Sequence, residues 1–164
     1  MNYQKYSPKR PIKSFQDLEV YQTVVNGAAE IFNRCREDMA AKTTEAVTES
    51  QSKAPLAVEE DELITELKGK IRRNLLECVL ALPGQIAQAH SLRFSELAQA
   101  LRLLDEAMLQ CNCAVVYLEQ YRDLANHKVE LEFFERQARK YLTVRWKIMH
   151  LLRSWQKFAE IQKP

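Results

Sequence analysis

Residues 67–96, LKGKIRRNLLECVLALPGQIAQAHSLRFSE, carry the clearest helical pattern in the chain. Apolar residues recur there every three or four positions and share a sector of roughly 100° on a helical wheel, the width of a core-facing stripe. Leu76 and Leu80 lie almost opposite that stripe. A helix with apolar residues on two faces needs a second partner, so we expect a homo-oligomer with Leu76 and Leu80 at its interface. The predicted core residues of this helix are Ile64, Leu67, Ile71, Leu75, Cys78, Leu82 and Ile86.

The rest of the chain has the length and composition of one helical domain. Its 164 residues include only three Gly and five Pro, and a chain of this size is long enough to bury a core. Apolar residues repeated at helical spacing predict an all-α, up-down-up-down four-helix bundle over residues 15–162. The predicted helices cover approximately residues 15–38, 61–91, 95–126 and 128–161.

The first predicted helix begins near Ser14, and Asp17 three residues later completes an acidic variant of the capping box. The apolar residues that follow repeat at spacings of three and four, as in the seam of a helical bundle. We therefore expect this helix to pack on the core through Leu18, Tyr21, Val25, Ala28, Phe32 and Cys35.

Two segments lack this pattern. Residues 1–14 contain four basic residues and no acid, which predicts a basic arm that either contacts phosphate or serves as a solubilising tail. Residues 40–60 are mostly small or polar and contain Pro55, which disfavours a helix running through it. We expect this second segment to be a flexible connection between the first two helices.

The last predicted helix has a basic side. Residues 136–159 contain seven Lys or Arg and no acid. Such cations bind nucleic-acid phosphates, and Trp146 among them offers a surface on which an unpaired base could stack. The alternative is an ordinary solvated side with a surface tryptophan, while Arg145 lies within the apolar sector and either snorkels or pairs with a carboxylate. The candidate nucleic-acid-binding residues here are Arg136, Arg139, Lys140, Trp146, Lys147, His150, Arg153 and Lys157.

Several classes of function are disfavoured by what the sequence lacks. It contains no nucleophile elbow, phosphate-binding glycine loop or paired-carboxylate motif, so we expect neither enzyme activity nor a cofactor. The four cysteines form no CxxC pair and the three histidines are scattered, so no metal site is expected. No apolar run reaches the roughly 18 residues that span a bilayer, and no signal peptide is evident. The expected location is the cytoplasm.

Three short motifs resemble those of a known family. LPGQIAQAH at 82–90, followed by RFS at 93–95, resembles the family pattern IPxNIAEGxGRxS. IRR at 71–73 resembles the element QIRRA, and FQDLEVYQ at 15–22 resembles FxDLxVWQ. The family comprises the four-helix-bundle proteins encoded within 23S ribosomal RNA intervening sequences, including the accessory variability determinants of diversity-generating retroelements. The chain departs from the pattern at Gln85, Gln88 and Ala89.

The resemblance implies a homopentamer that binds nucleic acid and a reverse transcriptase. Arg72 and Arg73 of the IRR element join the nucleic-acid-binding candidates. The expected function is that of a non-catalytic accessory protein, which holds RNA or complementary DNA near the partner enzyme. The alternative is an oligomeric protein-interaction scaffold whose basic side meets an acidic protein surface.

Overall fold

The computed structural model describes residues 12–46, 55–124 and 131–161, and this part of the chain is entirely helical outside its turns. A short 3₁₀ helix, Phe15–Asp17, precedes α1 (Glu19–Ala46), α2 (Pro55–Leu92), α3 (Leu97–Leu124) and α4 (Leu131–Ile161). Each α-helix packs against the next one in the chain, and α4 packs against α1. This arrangement confirms the prediction of an all-α four-helix bundle.

The connection between α1 and α2 is shorter than predicted. α1 continues to Ala46 and α2 already begins at Pro55, so the prediction of a flexible connection over residues 40–60 is wrong at both ends. Proline is favoured at the first position of a helix because its missing N–H has no helical partner there. The middle of the predicted connection and residues 1–11 of the predicted arm lie outside the described residues.

The predicted cap at Ser14 is present, but it caps the 3₁₀ helix. The Ser14 hydroxyl accepts a hydrogen bond from the Gln16 backbone N–H at 3.2 Å. In return, the Asp17 carboxylate accepts hydrogen bonds from the backbone N–H groups of Ser14 and Lys13, each at 2.9 Å. The α-helix itself begins only at Glu19. The capping box therefore fixes the chain just before α1.

The core side of α1 differs from the predicted seam. Val24 and Ile31 are buried, whereas Val25 and Phe32, both assigned to the core, are 39% and 45% exposed. The buried line comprises Leu18, Val20, Val24, Ala28, Ile31 and Cys35. Two apolar stripes thus run along α1, and the one predicted to face inward contributes only in part.

Gly27 explains which stripe of α1 faces inward. It is buried where α1 crosses α4, and a Cβ atom placed on it would lie 3.0 Å from Tyr141 Oη and 3.2 Å from Lys140 Cδ. These distances are shorter than ordinary van der Waals contact. The absence of a side chain at Gly27 lets the two helices approach, and this close crossing orients Val24 and Ile31 towards the core.

The two faces predicted for α2 are only partly separated. Leu75, Val79, Leu82 and Ile86 are fully buried, and Leu80 is 56% exposed, as expected for the opposite side. Leu76, by contrast, is half-buried and packs against the core. Leu76 therefore lies on the flank of α2 towards α1 rather than opposite the core, and its place at an oligomer interface stays a prediction.

α3 and α4 complete the core. Small residues spaced by seven, Ala100, Ala107 and Ala114, leave room on α3 for the larger side chains of its neighbours. Tyr141 and Gln137 of α4 are fully buried. None of the helices in the described ranges combines the length and apolar character that a membrane span requires.

Candidate nucleic-acid interface

The outward side of α4 carries five of the predicted binding residues together. Helical periodicity directs their side chains away from the core, and all five are exposed. Trp146, at 55% exposure, lies in the middle of them. We call this surface the α4 strip, and its members are Arg139, Trp146, His150, Arg153 and Lys157.

The aromatic pair in the α4 strip has a defined geometry. The Trp146 and His150 rings lie one helical turn apart, with centroids 4.1 Å apart and planes inclined at 62°. An edge-to-face contact of this kind restricts the rotation of an otherwise exposed indole. Trp146 remains 55% exposed beside His150, and an exposed indole is suited to stack on a planar group from solution.

Lys140 and Lys147 lie at the boundary with α1 rather than on the outward side. Lys140 Nζ is 2.9 Å from both carboxylate oxygens of Glu30, and Lys147 Nζ is 2.6 Å from Glu19 Oε1. Gln137 also donates a hydrogen bond to Glu30. Burial raises the pKa of Glu30, but the bonds from Lys140 and Gln137 outweigh it and keep that pKa below its usual value. These two lysines therefore form ion pairs between α4 and α1, which the sequence of α4 alone does not predict.

The cations at the start of α4 are also partly occupied. Arg139 Nη2 pairs with Glu135 at 3.1 Å, and the Arg136 guanidinium lies 5.6 Å from the centre of the Phe133 ring. A cavity of about 190 Å³ beside Arg139 includes Glu119 and Glu135 in its lining. Acids thus surround this end of the α4 strip.

Arg153 and Lys157, nearer the end of α4, have no such neighbours. Both are exposed, and no carboxylate of the described ranges forms an ion pair with either. Arg145 is likewise exposed, in keeping with the snorkelling alternative for this residue. The most accessible positive charge of the α4 strip therefore lies on Arg153 and Lys157.

Arg72 and Arg73 are not brought together with the α4 strip. They lie on α2, which packs mainly against α1 and α3 and meets α4 through the contact of His90 with Trp155. Arg73 is exposed, whereas Arg72 is half-buried near Cys35 and Tyr121, whose pKa values it lowers against the larger effect of their burial. In this chain Arg72 and Arg73 therefore do not extend the α4 strip.

Apolar side chains form a separate surface between α1 and α2. The proximity of Asp17 to His90 and of Cys35 to Arg72 sets the antiparallel register of these helices. With that register, helical periodicity places the exposed stripe of α1 beside the outward leucine of α2. We call this surface the α1–α2 flank, and it comprises Val25, Phe32, Leu76 and Leu80.

His90 lies buried at the end of the bundle where α2 turns into α3. Arg93 Nη1 is 2.9 Å from His90 Nδ1 and donates to the His90 carbonyl oxygen at 2.5 Å. Nδ1 accepts from Arg93 only in the neutral tautomer that carries its proton on Nε2. The His90 and Trp155 ring centres are 6.4 Å apart. His90 is thus a packed structural residue that fixes Arg93.

Unfolding experiments should detect this buried histidine. Burial, and then the charge of Arg93, lower the pKa of His90 in the fold, against a smaller opposing effect of Asp17. The imidazole of His90 therefore binds a proton more readily in the unfolded chain than in the folded one. The free energy of unfolding keeps its full value above the ordinary histidine pKa of about 6.5 and decreases as pH falls below it. Urea unfolding between pH 7.5 and 5 should show this loss, and His90→Asn should reduce its slope. An identical slope in both proteins would contradict the assignment.

The cysteines occupy buried or half-buried positions. Burial raises the pKa of Cys35 and Cys78 to about 11, and that of Cys111 to about 12. Thiols with such pKa values are weak nucleophiles at neutral pH. Within the described ranges, no group of three or more His, Cys, Asp or Glu side chains is placed to hold a metal ion.

Sequence reasoning missed one feature, a pocket at the end of the bundle. It has a volume of about 320 Å³ and lies between the turn after α2 and the last turns of α4. We call it the end pocket, and its main lining residues are Arg93, Phe94, Leu97, Ser154, Trp155 and Phe158. The only signal in the sequence was an Arg-Phe pair in a turn, which does not predict the residues that α4 contributes to the pocket.

No family model, curated protein or solved structure matches this chain.

Proposed function

We propose that this protein is a non-catalytic nucleic-acid-binding accessory protein that acts as a homo-oligomer. The observation that carries the proposal is the outward side of α4, where Arg153 and Lys157 are exposed near the exposed ring of Trp146 and form no ion pair with an acid of the described ranges. Cations of this kind neutralise phosphates, and an unpaired base can stack on the indole. RNA or single-stranded DNA is therefore the ligand class that this surface suits best.

The motif resemblance extends the proposal to partners. If the chain belongs with the proteins of 23S ribosomal RNA intervening sequences and diversity-generating retroelements, the oligomer is a pentamer and the protein partner is a reverse transcriptase. Catalysis then belongs to that partner, and this chain positions RNA or complementary DNA. Repetition of the α4 strip around a ring would add the fields of all its copies.

A salt titration tests nucleic-acid binding. Removing one cation that neutralises a phosphate should flatten the dependence of log affinity on log salt by about 0.7 for single strands and about 0.9 for duplexes. We expect this change for Arg153→Ala and Lys157→Ala, and little change for Arg102→Ala, an exposed control on α3. Arg139→Ala should have a smaller effect because Glu135 already pairs with Arg139.

The stacking contribution has a separate signature. Trp146→Ala should weaken binding of single strands by about 1–3 kcal/mol while leaving the salt slope nearly unchanged, because stacking releases few counterions. If the wild-type protein and every variant bind polynucleotide alike, or not at all, the α4 strip is a solvated surface. The scaffold alternative, in which this side meets an acidic protein, would then be preferred.

The oligomer has its own test on the α1–α2 flank. Phe32→Glu and Leu80→Glu replace exposed apolar side chains, and each should reduce the mass measured by light scattering at micromolar concentration. Leu76 is unsuitable because it also packs against the core of its own chain. Leu109→Glu, on the outward side of α3, is the matched control and should keep the wild-type mass. A wild-type protein of monomer mass would refute the oligomer.

A further inference from the structure

The walls of the end pocket include two exposed aromatic side chains, Phe94 and Phe158, and a third, Trp155, that is shared with the core. Phe94 is 75% exposed and Phe158 is 52% exposed, whereas Trp155 is half-buried and packs against the core. Ser154 and Leu97 complete the walls, and the volume of about 320 Å³ lies at the small end of the range for ligand pockets. Such a pocket suits a small planar group that stacks on the rings.

The walls are held in place before any ligand arrives. Arg93 is fixed by two contacts to His90, and its guanidinium lies 4.2 Å from the centre of the Phe94 ring. Trp155 is held by the core and by its contact with His90. A pocket that is already ordered loses little entropy when it binds. Arg93, Phe94 and Trp155 are therefore positioned before a ligand binds.

One cation, Arg93, stands in the wall of the end pocket itself. Among the sequence neighbours of the lining residues, Arg153 and Lys157 are basic and Glu96 and Glu160 are acidic. Aromatic walls with a guanidinium among them fit a group that joins a planar ring to phosphate.

We propose that the end pocket binds an unpaired base of a single-stranded nucleic acid whose phosphates follow α4. This inference rests on the proposed function and assigns it a second stacking position. Trp146 and Trp155 are nine residues apart on α4, or about 14 Å along the helix axis at 1.5 Å per residue, and about half a turn apart around it. Ser154 and Phe158 lie between the α4 strip and Trp155 on the helix surface, so a strand that follows the strip reaches the pocket by turning around the last turns of α4.

Tryptophan fluorescence reports on this pocket alone once the other indole is removed. The chain has two tryptophans, so Trp146→Phe leaves Trp155 as the single indole and keeps an aromatic ring at 146. We would titrate this full-length variant with a fluorescently labelled oligouridylate and with an abasic strand of equal length, following strand binding by anisotropy. The Trp155 emission should change with the base-bearing strand and remain constant with the abasic strand, although both bind.

Pocket variants give the corresponding affinities. Phe94→Ala and Phe158→Ala should each weaken oligouridylate binding by about tenfold, within the range found for loss of a stacked base. Neither should weaken binding of the abasic strand. Leu109→Ala, an exposed apolar residue outside the pocket, serves as the control and should leave both affinities unchanged. Because all three side chains are exposed, these changes should leave the fold intact.

The outcomes separate this inference from the proposed function. If both strands bind and Trp155 responds to both or to neither, the bases do not enter the pocket, while phosphate binding by the α4 strip stands. If neither strand binds, the proposed function fails. A titration with uridine monophosphate then tests whether the end pocket binds a base. A Trp155 response to the mononucleotide that Phe94→Ala abolishes would support the pocket, and no response would overturn it.

Discussion

Gly27→Val is expected to lower the free energy of unfolding by about 2 kcal/mol, because overfilling a close-packed site costs typically 1–3 kcal/mol. The first added carbon already meets Tyr141 Oη at 3.0 Å and Lys140 Cδ at 3.2 Å. Lys140 has a flexible side chain, but it is held by Glu30, and Tyr141 is fully buried. Neither neighbour moves without loosening the contact between α1 and α4.

The other two glycines of the chain are matched controls for this effect. Gly69 and Gly84 also lie within a helix, yet a Cβ atom at either position would meet nothing within 4 Å. Ala at these positions should raise the free energy of unfolding by up to about 1 kcal/mol, the gain in helix propensity over Gly. Denaturant unfolding of the three variants measures the contrast. Stabilisation by Gly27→Val would show that α1 and α4 do not cross closely there.

Asp38→Ala is expected to cost about 3 kcal/mol or more, since it removes one member of a buried charged network. The Tyr121 hydroxyl donates to Asp38 Oδ2 at 2.5 Å, and Arg34 Nη2 lies 2.6 Å from Asp38 Oδ1. Without the carboxylate, a buried hydroxyl and a largely buried guanidinium are each deprived of a principal partner. This network joins α1 to α3 across the core.

Glu37→Ala provides the control, because Glu37 pairs with the same arginine from an exposed position at 3.4 Å. Exposed pairs contribute about 0–1 kcal/mol, so its removal should have a small effect. Tyr121→Phe, which removes one hydrogen bond to a charged acceptor, should cost about 1.5–3 kcal/mol. Chemical denaturation of the three variants at pH 7 ranks their losses of unfolding free energy. Equal effects of Asp38→Ala and Glu37→Ala would show that the buried network does not stabilise the fold.

Periodicity was sufficient to predict the number of helices and the approximate ends of α3 and α4. It was insufficient on α1, where Val24 and Val25 belong to adjacent stripes and both stripes satisfy the same spacing. The choice between them depends on the close approach of Gly27 to Tyr141, a residue far along the chain. A pattern read within one helix cannot contain that information, and the same limit explains why the contact of Leu76 with the core was not predicted.

The candidate site was likewise predictable only as far as the pattern within one helix allows. Helical geometry alone placed Trp146, Arg153 and Lys157 on the exposed side of α4, and the structure has them there. Lys147 occupies the same helix but pairs with Glu19, which belongs to a different helix. The end pocket likewise combines Phe94 with Phe158 from distant parts of the chain. Sequence patterns thus locate a side of a helix, whereas ion pairs and pockets require the packed bundle.

The order of the helices around the bundle also has a kinetic consequence. Helices that pack on their neighbours in sequence need only short loops to meet, so these pairs can form early in folding. The boundary between α1 and α4 instead joins the two ends of the chain, and its closure carries the largest loss of chain entropy. Contacts that form after the transition state govern the rate of unfolding more than the rate of folding. We therefore expect the contacts of Gly27 and of the α4 lysines with α1 to form late in folding and to affect mainly the rate of unfolding.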